Sequence, residues 1–264
     1  MKHLATLKGA VVALLIAFAV PALAPAANVI WVTNNAGNAT PWVNFLSTNG
    51  FNVDIRTDFN GTLSPAQLND LNAADLVIMA RASNSGDFAN NAATVAQWAG
   101  IGTPIIVGNA FIAQANRWQM VTTSGTSGQT NLGTTTLGNT SHPIFNGVTP
   151  LGTGFNGEPT YRWTGGSMDW VTSTAVTGDG QLLGIRNNAG NQWVSLANWN
   201  TGDLMGANAV AERRFYFPLP INFSDLNPTG QEMLLNLSVF LAPEPGRAVL
   251  LTIGLFALLA RRRR

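Results

Sequence analysis

The chain contains no cysteine. That absence removes disulfides, a thiolate nucleophile and every thiolate metal site together. Histidine is almost as scarce, with His3 near the N-terminus and His142 in the body of the chain. A multi-histidine metal centre therefore has no ligand set, and neither a metal nor a cofactor is expected. Charge is thin, at 10% of 264 residues, and the net value of +1 conceals an asymmetry. Lys2, Lys8, Arg247 and Arg261 to Arg264 all lie in the first 26 or last 22 residues. Residues 27–242 hold seven Arg, no Lys and twelve Asp plus Glu, a net of −5. A mildly acidic domain without lysine lacks the basic footprint that nucleic acid binding requires. Asn, Thr, Gly and Ser take the place of charge on its surface.

Both ends read as addresses. Residues 1–26 have the order of a secretory signal peptide: Lys2, His3 and Lys8, an apolar run from Ala10 to Val20, then Pro21 and small residues. Ala24 and Ala26 occupy the −3 and −1 positions for cleavage before Ala27. At the other end stand Pro243, Glu244 and Pro245, then Gly246 and Arg247. An apolar run from Ala248 to Ala260 follows, closed by Arg261 to Arg264. The prolines break the preceding helix and hold an extended segment. At ~1.5 Å per residue the run covers about 20 Å, short of the ~30 Å hydrocarbon core, and it takes extension by Gly246 and snorkelling arginines to make a thin transmembrane helix. The arginine cluster favours a cytoplasmic end.

This tail, residues 243–264, resembles the PEP-CTERM sorting signal of Gram-negative bacteria, with Pro243-Glu244-Pro245 as the motif. The resemblance implies an exosortase as processing partner and transient anchoring in the inner membrane through the C-terminal helix. Removal of the tail and delivery to the cell surface or extracellular polymer would follow, with extracellular polysaccharide as a possible partner. The tail supplies an address and no activity.

The remaining residues, 27–242, are enough for one domain with a full core. Apolar strands are expected at Val29–Thr33, Phe51–Arg56, Asp75–Ala80 and Pro104–Gly108. They alternate with helices beginning at Thr40-Pro41 and Ser64-Pro65, each a capping hydroxyl before proline, and with a helix over Ala89–Ala99. Such alternation implies a parallel sheet covered on both faces, and right-handed crossovers make it doubly wound and flavodoxin-like. The second half is more irregular and β-rich. Residues 122–140 read as a long loop or weak hairpin, strands are expected at Leu182–Ile185, Trp193–Ala197 and Phe215–Phe217, and a final amphipathic helix spans Pro228–Leu241.

Four features carry a second resemblance. They are the early βαβαβ order, Ser141-His142-Pro143-Ile144-Phe145-Asn146-Gly147-Val148, the strand ahead of Asn198-Trp199, and the closing helix after Arg213-Arg214-Phe215-Tyr216-Phe217. Together they resemble the class I glutamine amidotransferase-like superfamily and its ThuA-like branches, over most of residues 28–241. The resemblance implies a nucleophile elbow of pattern Gly-x-Cys-x-Gly-x-Gln, here laid on Gly108 to Gln114. Gly108 and Gln114 match, but Ala110 stands at the cysteine position and Ile112 at the second glycine. Alanine offers no nucleophile, so the elbow is degenerate and no catalytic residue is assigned. His142 precedes Pro143 with no acid two residues on. A plain strand-to-helix turn is the alternative reading of the same residues.

Two further candidates remain. Arg81, Ser83 and Asp87 follow the third strand at the sheet's carboxyl edge, where doubly wound folds bind ligands, with Asp87 as a helix cap the alternative. Glu158, Asp169, Asp179 and Asp203 lie near Trp163, Trp170, Trp193 and Trp199, the residue types of a glycan-cleaving groove. The leading expectation is an exported surface or extracellular-matrix protein with a non-catalytic domain, associated with exopolysaccharide or biofilm. A glycan-acting hydrolase and a sugar or small-ligand binder are the alternatives.

Overall fold

The computed structural model describes residues 26–130, 133–188 and 190–242. Residues 1–25, nearly all of the expected signal peptide, and the Pro243-Glu244-Pro245 tail with its apolar run lie outside the described residues. Among those that are described, no helix is long and apolar enough to cross a membrane.

The first half runs β1 (Ala27–Val32), α1 (Ala36–Thr48), β2 (Phe51–Arg56), α2 (Pro65–Ala73), β3 (Leu76–Met79), α3 (Ser85–Phe88), α4 (Ala92–Ala99), β4 (Ile105–Val107) and α5 (Ala110–Ala113). The second half contributes β5 (Thr126–Thr130), β6 (Thr134–Thr136), β7 (Gly152–Thr153), β8 (Pro159–Tyr161), β9 (Ser167–Val171), β10 (Gln181–Asn188), β11 (Asn191–Trp199), β12 (Leu204–Met205), β13 (Asn208–Ala209), β14 (Arg214–Tyr216) and α6 (Pro228–Leu241). The main sheet has the order β2-β1-β3-β4-β14-β11-β10-β6-β8-β7. The five strands from β2 to β14 pair in parallel. Their order is that of the flavodoxin-like doubly wound fold, with the reversal between β1 and β3. Beyond β14 the pairings are antiparallel, and this extension is the irregular β-rich half.

Strand alternation divides the core into two layers. Val29, Trp31, Leu76, Ile78, Ile106 and Phe215 pack under α1 and α6. Ile30, Val32, Val77, Met79, Ile105, Val107 and Tyr216 pack under α2, α4 and α5. Both faces of the parallel strands are covered, which is why they read as unbroken apolar runs.

Local chemistry accounts for the helix ends. Ser64 and Gln67 form a reciprocal capping box with Pro65 in the first turn, and Asn227 caps α6 ahead of Pro228, both as expected. Three expectations need correction. The first helix begins at Ala36 under Asn35, leaving Pro41 inside it, so Thr40 is not the cap. The helix expected over Ala89–Ala99 is present but begins at Ala92 under Asn91, and a separate short helix, α3, precedes it under Asn84, which removes Asp87 from the capping role. Residues 122–140 hold two strands that do not pair with each other, since β5 joins β9 whereas β6 joins β10 and β8.

One side chain fixes β14 beside β4. Arg214 is fully buried, and its guanidinium donates to the carbonyls of Trp98, Ala99 and Ile101 at the end of α4, of Thr103 before β4, and of Glu212 and Arg213. Helix C-termini leave carbonyls without partners, and a cation there meets both the hydrogen-bond need and the helix dipole. This arginine thereby positions the seam between the parallel and antiparallel halves.

Candidate functional site

Doubly wound sheets bind ligands at the carboxyl ends of their strands, beside the point where strand order reverses. That crevice lies between β1 and β3. It measures about 10 Å³ and is lined by Trp31, Thr33, Trp42, Arg81 and Leu219 among others. A space of that size holds about one water molecule. Trp31 and Trp42 stack there with ring centroids 5.4 Å apart. The usual ligand position is filled by core aromatics.

The elbow residues do come together at this edge. Gly108 ends β4, Asn109 caps α5, and Ala110 is the first residue of that four-residue helix. Glycine at 108 has a packing cause: an added Cβ would sit 2.8 Å from Leu219 Cδ1 and 2.9 Å from the Met79 carbonyl. Ala110 is fully buried, as are Ile112 and Ala113. Gln114 is spent on structure, its Nε2 donating to the Ser124 carbonyl at 2.8 Å. Asn109, absent from the candidates that the sequence suggests, organises the turn. Its Oδ1 accepts from Phe111 N, and its Nδ2 donates to the carbonyls of Arg81 and Ser83. An Asn soon after an apolar strand is the signal that could have found it.

Arg81, Ser83 and Asp87 turn to three different partners. Arg81 forms an ion pair with Asp169 of β9 through Nε and Nη2, and its guanidinium lies 4.8 Å from the Phe111 ring. Ser83 is buried and donates to the Val32 carbonyl at 3.2 Å. Asp87 accepts from Asn34 Nδ2 at 3.2 Å. No shared ligand position results.

The second-half carboxylates are likewise dispersed. Glu158 accepts from Thr136 Oγ1, Asp179 from Leu204 N and Asp203 from Asn200 N, while Asp169 is held by Arg81. No two share a hydrogen-bond partner in this set, and among the described residues no group of three acids or histidines could hold a metal. Trp163, Trp170 and Trp199 are buried core residues, which corrects their reading as sugar platforms; Trp193 alone of the four is half-exposed. His142 caps the short turn Pro143–Phe145 by accepting from Ile144 N at 3.2 Å. Burial chiefly, and Arg213 secondarily, push its pKa down to about 4, so it is neutral at neutral pH.

Nothing in the sequence singles out Arg186. It is fully buried between the indoles of Trp170 and Trp193, with its Cζ 4.8 and 4.7 Å from the two ring centroids. None of its three guanidinium nitrogens has a hydrogen-bond partner among the described residues.

No family model matches the chain, and no curated protein matches it. Among solved structures, the chain is similar to a GMP synthase component from Thermoplasma acidophilum, at 13% identity and a TM-score of 0.45, covering 80% of this chain and 92% of that one. It is also similar to PurLQS from Thermotoga maritima, at 11% identity and a TM-score of 0.45, covering 82% and 99%. The strand order itself establishes the doubly wound α/β class.

Proposed function

We propose that this is an exported protein, sorted by an exosortase through Pro243-Glu244-Pro245, whose α/β domain works at the cell surface or in the extracellular polysaccharide by association and not by turnover. The address rests on the two terminal segments of the sequence. The domain reading rests on one observation above the others: the elbow position is Ala110, sealed in the core, and the crevice at the switch point holds about one water. A reacting substrate needs a reachable nucleophile and room beside it. No specific observation favours the glycan hydrolase, because three of its four tryptophans are core and its carboxylates are separately engaged.

Replacing Pro243, Glu244 and Pro245 with alanine is expected to leave unprocessed protein in the inner membrane fraction. Release and processing like the wild type would remove the sorting proposal. Glutamine or glycan hydrolysis by the purified protein, abolished by Asp169→Asn or Glu158→Gln, would instead remove the non-catalytic reading.

A further inference from the structure

A guanidinium without one hydrogen bond is an unusual thing to bury. Taking a cation out of water is costly unless it is paired and hydrogen-bonded. Arg186 has neither compensation. The nearby carboxylate, Asp169, is engaged by Arg81. Burial brings the Arg186 pKa down to about 10, so the group remains a cation at neutral pH. Two indole faces offset part of the penalty through cation–π attraction. They do nothing for the five N–H donors around the guanidinium edge.

Register sets one of the two indoles beside the guanidinium. Arg186 stands opposite Trp193 in the antiparallel β10–β11 pair. Ser195 lies two residues further along β11 at a bulge: Ile185 pairs with Val194 and Gly184 with Leu196, which leaves Ser195 without a partner in the ladder. The Ser195 hydroxyl is buried and, like the guanidinium, without a hydrogen-bond partner among the described residues. The guanidinium itself is thus a set of unsatisfied donors that carries an uncompensated positive charge. Its cover is not sealed core: Trp193 is half-exposed, whereas Trp170 beneath is 1% exposed. Of the two indoles on the guanidinium, Trp193 is therefore the one that solvent reaches.

We propose that Arg186 is the anchor of a carboxylate-binding site, with Trp170 as its floor and Trp193 as a movable indole cover. The chemistry selects a carboxylate over other anions. A planar carboxylate enters a slot between two flat rings and takes two parallel hydrogen bonds from the edge of a guanidinium. The oxygens of a tetrahedral phosphate would project into the rings. Neutral sugars bring no charge to compensate Arg186. The carboxylate can belong to a small organic acid or to a uronic acid unit, and the two are separable by experiment. The site is independent of the sorting tail and of the filled crevice at the β1–β3 switch point.

Both indoles report on the slot, so intrinsic tryptophan fluorescence is the readout. The full-length chain in mild detergent is titrated with sodium acetate and sodium glucuronate, and in parallel with glucose and sodium chloride at matched ionic strength. The expected result is a saturable change with acetate and glucuronate that glucose and chloride do not produce. Tighter binding of glucuronate would assign an acidic sugar, and equal binding a bare carboxylate. Arg186→Met is expected to weaken binding at least about ten-fold, and Arg186→Lys, which keeps charge but loses the planar fork, to weaken it as well. Trp193→Ala is expected to remove the cover and raise the association rate. No saturable change in the wild type, the same titration with chloride, or an undiminished titration in folded Arg186→Met or Arg186→Lys would each overturn the proposal.

Discussion

Two arginines among the described residues are fully buried, and they stand in opposite conditions. Arg214, at the seam of the sheet, donates to six backbone carbonyls drawn from α4, the approach to β4 and the residues before its own strand. Arg186, three strands from β4 in the antiparallel extension, donates to none and rests between two indoles. Burying such an ion costs several kcal/mol, and charge-assisted hydrogen bonds return about 1.5–3 kcal/mol each where the geometry is good. For Arg214 the hydrogen bonds offset that cost, and the Ile101 and Thr103 carbonyls would otherwise be orphans, whereas those of Trp98, Ala99 and Arg213 also accept from backbone N–H groups. For Arg186 only cation–π attraction, about 2 kcal/mol per desolvated ring, stands on the favourable side. Burial alone therefore does not identify a structural arginine; the acceptors around it do. His142 shows a third solution: it is half-buried and simply remains uncharged.

The largest effect is expected where acceptors depend on the cation. Arg214→Met should destabilise the domain by about 3–5 kcal/mol, since it leaves buried carbonyls unpaired at the end of α4 and before β4. Urea denaturation midpoints measure it. A loss below about 1 kcal/mol would place Arg214 with Arg186 and dissolve the contrast.

How far the sequence foretells these arrangements follows from how local each one is. Ser64, Pro65 and Gln67 carry their whole capping motif within four residues, and the structure has it. Asn227-Pro228 is equally self-contained. Pro41 misleads because the helix starts upstream, where Asn35 supplies a cap, and carries the proline inside it at the loss of one backbone hydrogen bond. β5, Thr-Ser-Gly-Gln-Thr, has no apolar alternation of its own and is a strand because β9 pairs with it. The elbow is legible as a strand-turn-helix position, yet its closeness to Leu219, which Gly108 alone permits, is set by a residue far along the chain. Arg214 meets Trp98, Ala99, Ile101 and Thr103 across more than 110 positions of sequence. No pattern within a window of the chain distinguishes it from Arg213 beside it, or from Arg186.

A smaller effect, and one that depends on pH, tests the discharged base. The folded pKa of His142 lies near 4, below the ~6.5 of an unfolded chain, so the unfolded state takes up the proton first. Stability should be complete above about pH 6.5, fall as the pH drops toward 4, and level off below. Screening of a half-exposed ring limits the loss to about 1 kcal/mol. His142→Asn retains a side-chain acceptor for Ile144 N and cannot titrate, so it should flatten that part of the profile while leaving neutral-pH stability nearly unchanged. A wild-type profile that is already flat between pH 6.5 and 4 would refute the neutral, buried assignment.

The smallest loss is expected at Arg186, and its size decides what the contrast means. Methionine is unbranched and fills irregular space between aromatic rings with favourable sulfur contacts. Arg186→Met removes the desolvation penalty, leaves no partner carbonyl or carboxylate orphaned, and forfeits two cation–π contacts. Replacement of buried charge by a well-packed apolar group is often neutral or stabilising by ~1–4 kcal/mol. The domain should therefore unfold at the same or a higher urea concentration than the wild type, in the same buffer in which Arg214→Met unfolds early. Because a bound carboxylate stabilises only the form that binds it, adding acetate should raise the wild-type midpoint and leave that of Arg186→Met in place. A loss as large as that of Arg214→Met would show that Arg186 supports the antiparallel half after all, with acceptors that its dry, aromatic surroundings do not display. Equal or greater stability of the methionine variant, combined with acetate dependence of the wild type alone, would mark Arg186 as a residue held against its folding cost for what it binds.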